Sequence, residues 1–116
     1  MGEIVDIILY NNDPGEHPMH VHGHHFWVLG MGQPDEGPYQ DQPLDLVAPV
    51  VRDTASVNAN SWLVIRLQMN NPGVWAYHCH IDWHLENGLL LVIVVAPEAI
   101  RARLGSTSSL VTCPVA

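Results

Sequence analysis

The sequence predicts an all-β domain, a Greek-key β-sandwich or barrel accompanied by one short helix. Three observations carry this. Apolar runs rich in Val, Ile and Leu recur at strand length, clusters of Asn, Asp, Pro and Gly separate them, and a single stretch near the C-terminal end has helix start and stop signals. At 116 residues, 47% of them hydrophobic, the chain is long enough for one domain with its own core.

Ile4 to Tyr10 is an Ile-rich run ended by Asn11-Asn12-Asp13-Pro14-Gly15, which reads as a strand and a loop. Five histidines follow between His17 and His25, and Phe26 to Gly30 reads as a second strand. From Met31 to Pro43 the prolines, glycines and acids describe an exposed loop. Leu44 to Val51 is a short, irregular strand kept from a central position by Pro49. After a turn at Arg52-Asp53-Thr54, Trp62 to Met69 alternates, with Leu63, Ile65, Leu67 and Met69 on one face against Arg66 and Gln68 on the other. Asn70 to Gly73 turns the chain into a strand over Val74 to His80. Leu89 to Val95 is apolar throughout, as expected of a strand covered on both faces. Pro97 to Leu104, with Glu98 in its first turn and Gly105 beyond its end, is the helix. The domain is therefore read as residues 1–105, and residues 106–116 as a flexible Ser/Thr-rich tail.

A net charge of -8 with four Lys and Arg argues against nucleic acid and anionic membrane surfaces; it suits small neutral or cationic molecules, and simple solubility explains it equally well. The apolar run Leu89 to Ala96 is far below the roughly 20 residues needed to span a bilayer. Met1-Gly2-Glu3-Ile4 has neither a basic region nor a cleavage site, so no signal peptide is expected in this chain.

The chemistry concentrates in His78-Cys79-His80-Ile81-Asp82-Trp83-His84-Leu85-Glu86. On a strand, Cys79 shares a face with Trp75 and Tyr77, while His78 and His80 point the other way, roughly 7 Å apart. One short segment can thus serve two metal sites. A thiolate with imidazoles in a trigonal set suits a blue-type copper. Zinc is the competing reading, since Cys and His also bind it tetrahedrally, but consecutive His-Cys-His is awkward for one tetrahedral ion. His20 and His22 repeat the His-x-His arrangement upstream.

The segments His17-Pro18-Met19-His20-Val21-His22-Gly23-His24 and His78 to Glu86 resemble the two C-terminal copper motifs of laccases, within the multicopper oxidases. Arg52-Asp53 and Asn71-Pro72-Gly73-Val74-Trp75 are similar to fungal-type laccases, and the likeness runs from about Gly2 to Ala96. The resemblance implies a cupredoxin-like fold in which His17, Cys79 and His84 hold a type 1 copper, His20 a type 2 copper, and His22, His78 and His80 a type 3 pair. It also implies one-electron oxidation of phenols or aryl amines, with electrons passing through His78-Cys79-His80 to a trinuclear site that reduces dioxygen to water. Asp82 is a candidate for proton shuttling or ligand orientation, and Trp75, Tyr77 and Trp83 are expected to pack around the copper. His24 is read as a structural residue beside the metal and His25 as a rim residue. Cys113 resembles the laccase tail cysteine that bridges to the first domain, and the family is largely secreted. Leu89 stands where related oxidases can carry a methionine; a leucine cannot ligate, which implies a three-coordinate copper of raised potential. Leu89→Met is expected to lower the reduction potential of the copper-loaded chain, and an unchanged value speaks against this axial assignment.

Laccases have three such domains, with eight histidines forming the cluster between the first and the third. This chain resembles only the third, without its opening strands. Of its eight histidines, two go to the type 1 site and four to the cluster, and His24 and His25 sit too close to His22 to form the opposite wall. Half of the cluster must come from a second copy, as a homo-oligomer, or from missing laccase domains. The alternatives are a single-copper cupredoxin electron carrier and an inactive laccase fragment.

Overall fold

The structure, a computed structural model, describes residues 2–105. The tail 106–116 with Cys113, and so the expected boundary at 105, lies outside the described residues on one side. Eight strands form two four-stranded antiparallel sheets. The first contains β1 (Glu3–Tyr10), β6 (Trp62–Met69), β3 (Phe26–Met31) and β4 (Val50–Arg52), in that spatial order. The second contains β5 (Thr54–Val57), β2 (His17–Val21), β7 (Gly73–Cys79) and β8 (Leu90–Val95). The chain shuttles between the sheets instead of completing one before starting the other, so the two inner faces close one core, as in a cupredoxin-like sandwich.

That core is built from alternate residues: Met19 and Val21 of β2, Leu63, Ile65 and Leu67 of β6, and Tyr77 and Cys79 of β7. The alternation expected over Trp62 to Met69 is present, yet Trp62 and Val64 on the other face are buried too. They pack with Leu29 under Tyr39 and Leu44, and the indole N–H of Trp62 donates to Glu36. The segment between Met31 and Pro43 is therefore an overlay on the sheet and not wholly an exposed loop. At the far edge, Arg66 pairs with Asp6, its registered partner on β1, at 2.7 and 2.8 Å. These hydrogen bonds hold the Asp6 carboxyl below its ordinary pKa, and an exposed pair of this kind contributes no more than about 1 kcal/mol.

Four expectations need correction. The strand expected over Leu44 to Val51 shrinks to Val50–Arg52, because Pro49 removes a donor at its start. Thr54, read as part of a turn, instead opens a strand, Thr54–Val57, that pairs with β2. A second helix, α1 (Asp82–Glu86), precedes α2 (Pro97–Leu104), so the single helix becomes two. Finally, β8 is not covered on both faces: it is an edge strand, with Leu90, Leu91, Val92 and Val94 each 46–56% exposed. Among the described residues, no helix is long and apolar enough to cross a membrane.

The Tyr77 hydroxyl is buried in the core without a hydrogen-bond partner among the described residues, and burial pushes its pKa far up. An unpaired buried hydroxyl costs stability. Tyr77→Phe is expected to stabilise the fold by about 1 kcal/mol in urea unfolding at neutral pH; a less stable variant means that the hydroxyl has a partner.

Candidate metal centre

Three elements deliver one converging group. The alternation that buries Met19 and Val21 also turns His17, the first residue of β2, inward. Cys79 ends β7 on the face shared with Tyr77 and is fully buried. Beyond it the chain folds back: the His84 amide donates to Ile81, the Leu89 amide to His84, and the Cys79 amide to the Leu89 carbonyl at 3.1 Å. This closed loop carries α1 and lays His84 against the thiol. Cys79 Sγ lies 3.3 Å from His84 Nδ1 and 3.8 Å from His17 Nδ1, and the two Nδ1 atoms are 3.1 Å apart.

On the opposite face of β7, four imidazoles gather. His20 is the registered partner of His78 across the β2–β7 ladder. His22 Nε2 and His78 Nε2 are 3.0 Å apart, and the rings of His20, His22, His78 and His80 neighbour one another at centroid distances of 5.0–5.7 Å. Two of these rings are oriented from behind by oxygen. His78 Nδ1 is 2.8 Å from the Cys79 carbonyl, and His20 Nδ1 is 3.0 Å from the Asp53 carbonyl and 2.9 Å from Thr54 Oγ1. A carbonyl only accepts, so the proton sits on Nδ1 and Nε2 keeps its lone pair for a ligand.

The remaining expected residues divide. Leu89 lines the cleft beside His17 and His84. Asp82 opens α1, exposed, and makes no hydrogen bond to the histidines among the described residues. Trp75 is half-buried and Tyr77 packs in the core below Cys79, whereas Trp83, expected as packing, is 63% exposed, edge-on to the His84 ring at 3.9 Å. His25 is exposed and His24 is buried. Asp13 escaped notice as part of a turn, yet its carboxylate lies 3.7 Å from His17 Nε2 and lines the same cleft. Its only sequence signal is the four-residue spacing before His17.

Residues 1–99 match the sequence model of one family, described as multicopper oxidase. The chain belongs to the multicopper oxidase family. It is 46% identical over 101 residues to the iron transport multicopper oxidase fio1 of Schizosaccharomyces pombe, covering 85% of this chain and 16% of that protein. The crystal structure of Fet3p, a multicopper oxidase that functions in iron import, superposes with a TM-score of 0.82 at 40% identity, over 86% of this chain and 21% of that one. The laccase from Botrytis aclada superposes at 0.71 with 29% identity, over 84% of this chain and 19% of that one. The chain thus spans about a fifth or less of the length of these three proteins.

Copper is the metal of this multicopper oxidase domain, and the donor set fits it independently. A ring nitrogen from each of His17 and His84 and the buried Cys79 sulfur converge within 4.8 Å of one another, a set of donor atoms placed to hold one cation. Trigonal His2Cys is the geometry that copper accepts and that tetrahedral structural zinc does not.

Proposed function

We propose that this domain is the substrate-oxidising and electron-relaying part of a copper oxidase that couples one-electron oxidation of a small donor to reduction of dioxygen to water. The observation that carries it is the back-to-back arrangement on β7: the Cys79 trio on one face, four imidazoles on the other, joined through the peptide bonds of His78-Cys79-His80. Copper held there supplies one-electron redox chemistry.

The chain's own groups divide the remaining work. His17, Cys79 and His84 are the proposed type 1 set; His20 is proposed for the type 2 ion, and His22, His78 and His80 for the type 3 pair. The oxygens behind His20 and His78 hold those rings with Nε2 forward. Asp82 is our candidate for the proton-handling carboxylate. His22 and His80 are exposed, which fits a cluster whose other half comes from a second copy or from further domains of a longer protein. A secreted setting belongs to this reading, and an acidic chain is compatible with it. Copper counted in the chain after sizing tests the arrangement: more than one ion per chain in an assembled species supports both sites, and one ion per chain in a monomer reduces the reading to an electron carrier.

The laccase reading gives phenols or aryl amines as donors, entering the cleft of about 340 Å³ bounded by Trp83, His84 and Leu89. A second reading has its own observation. The Asp13 carboxylate beside the outward Nε2 of His17 offers an oxygen ligand and a negative charge at the same rim, which suits a ferrous ion. The names of fio1 and Fet3p point in that direction. Asp13→Asn separates the two in the copper-loaded, oxygen-reducing assembly. If iron is the donor, kcat/KM for ferrous ion is expected to fall about 10-fold or more, one lost carboxylate contact being worth about 1.4 kcal/mol or more, with phenol oxidation spared. Equal loss for both donors removes the iron reading.

A further inference from the structure

His22 has no strand to hold it. The β2–β7 ladder ends at Val21 opposite Tyr77, and His22, the next residue, is exposed. Its Nε2 nevertheless stands 3.0 Å from that of His78. The His22 amide donates to the Ala76 carbonyl at 2.8 Å, which fixes one end of the residue. Gly23 then turns with φ +67°, close enough to Trp75 that a Cβ would lie 2.4 Å from the indole. The Asn71 side-chain amide donates to the Gly23 carbonyl at 2.8 Å, and the Trp75 indole N–H donates to the Asn71 carbonyl at 2.9 Å, so turn and indole are tied together.

The His22 carbonyl is left, and His24 takes it. His24 Nδ1 lies 3.3 Å from that oxygen. Its ring stands edge-on to Trp75 at 5.8 Å and is 7% exposed. Its Nε2 is buried without a partner among the described residues. A hydrogen on Nε2 would be a buried, unpaired donor and would leave Nδ1 facing the carbonyl as acceptor against acceptor. The surroundings therefore favour one tautomer, with the hydrogen on Nδ1 and aimed at His22.

We infer that His24 is a positioning residue for His22: clamped on Trp75, it donates to the His22 carbonyl and so holds the His22 ring against His78 for copper. The inference rests on reading His22 and His78 as a metal-facing pair, and it adds a task for a histidine that binds no metal itself.

The test is titration of the full chain with copper(II), followed by electron paramagnetic resonance, with the blue absorption of the Cys79 trio as an internal check on the fold. An asparagine amide occupies the place of Nδ1 and can donate to the His22 carbonyl; a glutamine amide occupies that of Nε2 and cannot. His24→Ala and His24→Gln are expected to weaken copper binding at the four-histidine cluster about 10–100-fold with the blue band intact, and His24→Asn to restore it to within a few-fold. Parent-like binding by His24→Ala, or His24→Asn no better than His24→Gln, overturns the inference. His22→Ala is the reference: if it leaves cluster binding unchanged, the reading of the pair itself fails and the inference falls with it. Should His24→Ala lose the blue band, the comparison of His24→Asn with His24→Gln decides: tighter cluster binding by His24→Asn with the band intact is expected, and equal binding by the two overturns the inference.

Discussion

On the proposed reading, Cys79→Ser is expected to abolish the intense visible absorption of the copper-loaded, oxygen-reducing assembly and to lower substrate oxidation by more than about 100-fold, while His20→Ala is expected to leave the absorption and remove oxygen reduction. The numerical floor follows from outer partners of metal ligands, whose loss alone costs about 10–100-fold in affinity or activity. Serine conserves the shape of the side chain and its burial among Met19, Val21 and Tyr77, so the fold survives. What it cannot supply is a soft thiolate between two imidazole nitrogens at 3.3 and 3.8 Å. His20 belongs to the other face of the same ladder and touches oxygen atoms of Asp53 and Thr54, not the thiol. Absorption spectra and oxygen uptake on the two variants separate the faces; loss of the blue band in both merges the two sites into one.

Gly23→Ala is expected to destabilise the fold by about 2–5 kcal/mol. The backbone there has φ +67°, which costs a residue with a Cβ about 1–2 kcal/mol. The new methyl would also lie 2.4 Å from Trp75, and forcing an indole aside in a packed site adds about 1–3 kcal/mol. For a domain of this size the midpoint of thermal unfolding falls by roughly 8 °C or more. Gly37→Ala is the matched control: φ is +87°, but nothing lies within 4 Å of the added atom, so only the conformational cost of about 1–2 kcal/mol remains. If both variants unfold at the same temperature, Trp75 yields freely and the cradle is not rigid. The blue band is expected to persist in Gly23→Ala below its midpoint, because His17, Cys79 and His84 come from other turns of the chain.

Local periodicity determined much of this protein by itself. Strands β1, β6 and β7 and helix α2 follow from alternation, flanking turns and a Pro-to-Gly frame, all written within ten residues. The separation of Cys79 from His78 and His80 onto opposite faces follows from the two-residue repeat of a strand, and the residue types name the metal. Tertiary structure decided what depends on partners far along the chain. His17 reaches Cys79 across 62 positions, and nothing local dictates that Nδ1 faces the thiol while Nε2 faces Asp13. Thr54 to Val57 has weak alternation and is a strand because β2 lies beside it with an open edge. The apolar run at β8 reads as buried by composition alone; it lies at a sheet edge because strand order, set by how the sheets close around Leu63, Ile65 and Leu67, leaves it only β7 as a neighbour.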